Sequence, residues 1–401
     1  MEKLEMDVFS AAMETCIEYP VDFILISGDL FDSSVPHNLK VVQNAAAKMR
    51  EVVEHGIPIY CIYGSHEYSA TSTSIIEVLE SAGLLQKIVQ PVMIDNKLKL
   101  IPFVDQRTGA KLVGISARKM GLERESYAIL DRESLELLEG FKVFAFHSGL
   151  DEFKPDYLTQ MSTLPLSLLP KGFDYYAGGH IHQKSMHQEL GYERIVFPGP
   201  LFTGHGRDIE KTASKEPRGF FIVSFDNQVR STEFVQIEMG DYAFCKLDVT
   251  GLNAVQAQLK LEDELLHLDV AGKIVVVRIF GELSGGKISE TDLPNLRKIL
   301  KANGAIHVDI SQTGLSSKEY ANVKVSGLEA SEIEERLFRE HIGLIKVSRP
   351  QLKNDVGIAL SVALLRSLKR EKKDTENQDD YDKGIAEDAF ETLSLKEVFE
   401  D

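Results

Sequence analysis

The sequence predicts a two-sheet α/β sandwich flanked by helices, followed by a small α/β capping domain and a helical C-terminal tail. Three observations lead there. The early apolar runs "VDFILISG" and "IPIYCIYG" are too continuous for half-exposed strands, and they alternate with helix-patterned segments, which indicates strands buried beneath helices. After "TSIIEVLESAG", short apolar runs follow one another with few helices between them, which indicates a second sheet. The length of 401 residues exceeds what one hydrophobic core usually serves.

Taken in order, the chain opens on an amphipathic segment with Leu4, Val8, Ala11, Ala12 and Thr15. "VDFILISGDLFD" is an apolar strand that ends in a glycine and a carboxylate. "NLKVVQNAAAKMREVVEHG" is a helix stopped by Gly56, and "IPIYCIYGSHE" is a second strand running into a polar turn. "KLKLIPFV", "KLVGISA", "FKVFAFHSG", "FDYYAGGHIH", "ERIVFPGP", "RGFFIVSF" and "STEFVQIEM" supply further strands, so residues 1–239 are expected to form the main domain. Residues 240–330 read as a β-α-β-α-β set of one small domain. Residues 331–373 become helical, 374–384 form a polar linker, and 385–401 carry Ile385, Ala389, Phe390, Leu393 and Phe399 at near-helical spacing. That last stripe suits a helix lying in a partner's groove; the alternative is a helix folding back on its own chain.

Composition narrows the function classes. With 43% hydrophobic and 27% charged residues the chain has material for folded cores. No apolar run approaches the roughly 18 residues of a membrane span, and the charged opening "MEKLEMD" is unlike a secretory leader. Cys16, Cys61 and Cys245 lie too far apart for a zinc spacing or a disulfide framework, which fits a reducing, intracellular compartment. A net charge of −17 argues against a broad basic face that holds nucleic acid by charge alone. From Glu371 to Asp401, however, 12 acids stand against 4 bases, so this tail carries −8 of the total. Any DNA contact is therefore expected at a local site, through metal ions, or with a second subunit.

Four strand ends carry residues able to ligate metal or transfer protons. They are "ISGDLFD" with Asp29, "IYGSHEY" with Ser65, His66 and Glu67, "FAFHSG" with His147, and "YYAGGHIH" with His180 and His182. Loops at the carboxyl ends of strands project side chains from a rigid platform into one crevice. Carboxylate with imidazole suits borderline divalent ions such as manganese, iron or zinc. Taken singly each is weak, since a strand-end Asp often caps a turn and a strand-end His often bonds locally. Their common placement carries the reading.

In these blocks the sequence resembles the calcineurin-like metallophosphoesterases, and among them the nuclease subunit of the double-strand-break repair complex, SbcD in bacteria, here of the archaeal type. "GDLFD", "GSHEY", "FHSG" and "GGHIH" follow the family order, and the resemblance covers essentially the whole chain. It implies a metallophosphoesterase sandwich and two divalent metal ions, expected to be Mn2+. Asp29 would bridge them, with His182 on one ion, His147 and His180 on the other, and Ser65 standing where the family has asparagine. His66 resembles the family's non-ligand catalytic histidine, which stabilises the scissile phosphate or protonates the leaving oxygen. The resemblance also implies DNA ends as substrate, an ABC-type coiled-coil ATPase (SbcC-like) bound through the C-terminal helix, a homodimer, and a nucleoid-associated place in a prokaryotic cytoplasm.

Two departures stand out. The family's Asp-x-His block is absent: the strand that carries it would precede the opening helix, so the chain is expected to start at an internal methionine, the alternative being a degenerate protein. Ser65 and Glu67 replace asparagine and aspartate, and a hydroxyl is a poorer neutral ligand than an amide oxygen. The expected function is a metal-dependent DNA endo- and exonuclease. The alternatives are a non-catalytic scaffold that binds DNA ends and the ATPase with an incomplete metal site, or a small-molecule phosphodiesterase.

Overall fold

A computed structural model describes residues 2–393 except 20, 37, 68–72, 119–121, 156–162, 203–205, 239, 319–333, 336, 340–354 and 371–377. It contains two compact units. The first comprises Met1–Lys246, Leu266–Arg278 and Arg297–Ser311, and the second Leu247–Leu265, Ile279–Leu296 and Gln312–Asp401.

The first unit is the predicted α/β sandwich. One sheet consists of parallel β1 (Ile24–Ile26), β2 (Ile59–Cys61) and β3 (Gln86–Lys87). Helices α1 (Glu2–Glu18), α2 (Leu39–Glu54) and α3 (Ile75–Ser81) cover it. Helix α2 begins where the Asn38 side chain accepts from the Lys40 N–H, and its inward residues Ala45, Met49 and Val52 share a core with Ile59 and Cys61 of β2. Its chain direction reverses after His55 at Gly56, whose φ of +78° suits glycine. Helix α3 starts on a reciprocal Ser74–Glu77 capping box. The hairpin of β4 (Pro91–Ile94) and β5 (Lys97–Leu100) follows.

The second sheet of this unit has six strands: β6 (Phe103–Val104), β7 (Lys111–Ile115), β8 (Lys142–His147), β9 (Tyr175–Gly179), β10 (Ser185–Glu189) and β11 (Tyr192–Phe197). Their spatial order is β10-β11-β9-β8-β7-β6, parallel through the centre and antiparallel at both edges. Every residue of β8 is buried. Val143 and Ala145 pack with Tyr60 and Ile62, while Phe144 and Phe146 pack with Tyr127, Phe173 and Phe197 on the other face. This alternation explains the uninterrupted apolar run: the strand is covered on both sides. Helices α4 (Glu123–Ala128) and α5 (Arg132–Glu136) bring Tyr127 and Leu135 into the outer core. Helix α6 (Gly206–Ala213) and the hairpin of β12 (Gly219–Phe225) and β13 (Val229–Gln236) follow.

The expected β-α-β-α-β set is present as β14 (Tyr242–Asp248), α7 (Ala254–Leu266), β15 (Ile274–Leu283), α8 (Leu293–Ala302) and β16 (His307–Ser317), with strand order β14-β15-β16. The compact units do not divide at residue 239, however. Each of these strands begins in the first unit, where Ile274 and Val276 share a small core with Ile209 of α6.

In the second unit, Ala254, Ala257, Leu261 and Leu265 line the buried face of α7 at helical spacing. Helices α9 (Asp355–Leu368) and α10 (Gln378–Thr392) pair: the Tyr381 hydroxyl donates to the Arg370 carbonyl at 2.8 Å, and the Ser367 and Thr392 hydroxyls are 3.4 Å apart. Helix α10 starts inside the segment whose composition reads as a linker, and Phe399 lies outside the described residues. Among the described residues no helix is long and apolar enough to cross a membrane.

Candidate functional site

The loops that follow β1, β2, β8 and β9 meet back to back, and glycine is what lets them. Gly28 has φ +87°, and a Cβ there would lie 2.5 Å from the Gly64 nitrogen and 2.7 Å from His147 Nδ1. A Cβ on Gly179, which pairs with His147 in the β8–β9 register, would strike the Ser27 carbonyl oxygen. The strand ends thus bring Asp29, His66, His147, His180 and His182 to one region, with His180 feeling the charges of the other four.

Asp29 stands at the centre in the left-handed region, with φ +55°. Its Oδ1 accepts from the His66 N–H at 3.0 Å, and its Oδ2 lies 2.9 Å from His147 Nε2. The opposite nitrogen of His147, Nδ1, donates to the Ser27 carbonyl at 2.7 Å; a carbonyl can only accept, so Nδ1 carries a proton, and Nε2 faces Asp29 favourably when it too is protonated. His147 is 2% exposed. Burial alone would lift the Asp29 carboxyl and depress the His147 imidazole. Their mutual pairing outweighs it, and holds Asp29 below the usual carboxylate range and His147 above the usual imidazole value. His180, also at positive φ (+75°), sits with its ring 5.3 Å from that of His147. Burial and the neighbouring His147 push it down to about 4, so it is neutral at pH 7.

Glu67 does not face the cleft. It is fully buried and accepts four backbone N–H groups, from Gly64 at 2.9 Å, Asp29 at 3.0 Å, Leu30 at 2.5 Å and Phe31 at 3.1 Å. Burial pushes its carboxyl up in spite of these donors. Glu67 therefore locks the "GDLF" turn to the "GSHE" turn. Ser65 is half-buried between them, and His66 is exposed, its Nδ1 donating to the Asp32 carbonyl at 3.0 Å.

His182 is held from outside the expected blocks. Its Nδ1 lies 2.6 Å from Oδ2 of Asp208 on α6. The Arg218 guanidinium, 1% exposed, donates to the His182 carbonyl at 2.8 Å, the Asp208 carbonyl at 3.3 Å and Thr212 Oγ1 at 3.0 Å. Asp208 sits below the usual carboxylate range: burial opposes this, but His182 and Arg218 prevail. Glu67, Asp208 and Arg218 were not predicted in these roles, and the one hint was an acid in the first turn of a helix-patterned "GRDIEKTA".

The expectation of two divalent ions is corrected. Among the described residues no group of three or more His, Cys, Asp and Glu is arranged to hold a metal ion. The candidate ligands face other groups of the protein instead: His147 bonds Ser27 through Nδ1 and sets Nε2 2.9 Å from Asp29 Oδ2 without a hydrogen bond among the described residues, and His182 bonds Asp208. Ser65 contributes only a hydroxyl, and the Glu67 carboxylate is turned inward onto backbone N–H groups. The residues present do not fit a two-metal centre, manganese included.

Residues 6–184 match the family model of the calcineurin-like phosphoesterases. The DNA double-strand break repair protein Mre11 of Methanopyrus kandleri is 28% identical over 251 residues, covering 59% of this chain and 52% of the relative. The Mre11 protein of Sulfurisphaera tokodaii is 27% identical over 278 residues, covering 67% of this chain and 68% of the relative. The uncharacterized metallophosphoesterase YhaO of Bacillus subtilis is 26% identical over 270 residues, covering 67% of this chain and 61% of the relative. The match thus spans about half the length of the Methanopyrus protein. Two pairs of parallel strands whose ends meet around Asp29, together with these likenesses, make residues 6–184 similar to a calcineurin-like phosphoesterase domain, with distant similarity to the Mre11 double-strand break repair proteins.

Proposed function

We propose that this chain is a non-catalytic scaffold of a double-strand-break repair complex, binding DNA ends and an ABC-type coiled-coil ATPase on a phosphoesterase domain whose metal site is incomplete. The observation that carries this is the arrangement of the site: Asp29 lies against His147 and Asp208 against His182, and among the described residues no group of three or more His, Cys, Asp and Glu is arranged to hold a metal ion. The repair context comes from the relatives, several of which are named for double-strand break repair.

The charge distribution supports a local mode of DNA contact. A chain of net −17 gains little from counterion release over its whole surface, so the ends are met at the strand-end loops, where His66 and His182 are exposed. The ATPase partner is assigned to the helical tail, where Phe390 of α10 is 41% exposed beside a polar, acidic surface. A homodimer would present two such sites to one duplex and offset the weak binding of a single acidic chain.

Linear duplex incubated with the full chain tests this, once in EDTA and once with manganese. Equal binding of ends in a gel shift and no shortened product on a denaturing gel are expected. Manganese-dependent cleavage that disappears in His66→Ala and His147→Ala would overturn the scaffold reading in favour of a nuclease.

A further inference from the structure

Asp208 and Arg218 lie beyond residues 6–184, the stretch that matches the phosphoesterase family, yet they determine how His182 is presented. A carboxylate can only accept a hydrogen bond, so the 2.6 Å contact places the proton on His182 Nδ1 and leaves Nε2 as the nitrogen that meets a ligand. The carboxylate is the inner partner and the imidazole the outer one, with side-chain exposures of 17% and 48%. Arg218 fixes both backbones at once through the His182 and Asp208 carbonyls, and reaches Thr212 one turn further along α6. Arg278 holds the start of the same helix, donating to the Gly206 carbonyl at 2.6 Å and to Glu210 Oε2 at 3.0 Å, with Asp309 Oδ2 at 2.7 Å from its other arm. An exposed imidazole braced in this way has little rotamer freedom left to lose on binding.

We propose that Asp208 is a positioning residue, which holds His182 so that Nε2 meets the terminal phosphate of a DNA end. The proposal rests on the DNA-end reading above and adds the group recognised there. With its proton on Nδ1, the ring can only accept at Nε2, so the proton of a hydrogen bond to phosphate must come from the phosphate itself. A singly protonated phosphomonoester carries one and a phosphodiester carries none, so a phosphorylated terminus is favoured over internal DNA. Simple electrostatics predicts the opposite effect of removing Asp208, because deleting a negative charge should strengthen DNA binding.

Fluorescence anisotropy in EDTA tests this with the full chain and linear duplexes bearing 5′-phosphate or 5′-hydroxyl ends. The unmodified chain should favour the phosphorylated duplex. Asp208→Ala should lose that preference through an affinity about tenfold lower for the phosphorylated duplex alone, the size expected for one hydrogen bond to a charged group. His182→Gln, a change at an exposed side chain, should show the same loss. Asp226→Ala removes an equal charge at the β12–β13 turn and should keep the preference. Imidazole 15N shifts should report His182 leaving the Nδ1–H form in Asp208→Ala. A preserved preference in Asp208→Ala, tighter binding of both duplexes, or no discrimination by the unmodified chain overturns the proposal while the scaffold reading stands. Absence of any DNA binding by the unmodified chain removes that reading, and this one with it.

Discussion

Replacing Glu67 by glutamine should destabilise the first unit and loosen the "GDLF" turn. Oε1 of Glu67 accepts from Leu30 and Phe31, and Oε2 from Asp29 and Gly64, all on a fully buried side chain. Glutamine keeps one acceptor oxygen and puts an NH2 where the other stood, so two backbone N–H groups face a donor. Each buried N–H left without an acceptor costs about 1–3 kcal/mol. A neutral amide is cheaper to bury than a carboxylate, which offsets part of this, so the net loss is about 2–4 kcal/mol. Against the roughly 5–15 kcal/mol of a typical folded domain, that loss is readily measured. Urea unfolding of the full chain, followed by amide hydrogen exchange read peptide by peptide, locates the effect: residues 29–31 and 64 should exchange roughly thirtyfold faster or more. A stability change below about 0.5 kcal/mol with unaltered exchange in these peptides would refute the clamp, because surface substitutions give changes of that size.

Two further outcomes follow from the same geometry. The Tyr127 hydroxyl is fully buried and has no hydrogen-bond partner among the described residues, so Tyr127→Phe should raise stability by about 0.5–1 kcal/mol in urea unfolding; a loss above about 1 kcal/mol would show that the oxygen has a partner. The Asp29–His147 pair gives stability a two-sided pH dependence. Asp29 has a depressed folded value, so its contribution is present above the ordinary carboxylate range and lost as pH falls through the folded value; His147 has a raised one, so its contribution is complete below about 6.5 and lost as pH rises through its folded value. His147→Asn should flatten the alkaline side of the stability curve measured from pH 6 upward, and an unchanged slope there would show that the pair is not coupled to folding.

The succession of elements was legible in the sequence because burial leaves a local trace. Strand β8 reads "KVFAFH" since both of its faces are covered, and α2 reads as amphipathic since only one of its faces is. The strand-end positions of Asp29, His66, His147, His180 and His182 were legible for a related reason: each follows an apolar run directly, and parallel strands deliver their carboxyl ends to one edge.

What those residues do once assembled was decided only in three dimensions. His147 bonds a carbonyl 120 residues away, Glu67 gathers N–H groups from a turn 36–38 residues earlier, and Asp208 reaches a histidine 26 residues before it. No pattern with a period of two or 3.6 residues records such partners, because they depend on where loops meet and not on what neighbours them in the chain. The sequence alone therefore supplied a phosphoesterase-like set of polar residues in the right order. The tertiary structure turned those residues toward one another, Asp29 to His147 and His182 to Asp208, because in a packed interior the nearest compatible partner of a half-buried charge is another side chain.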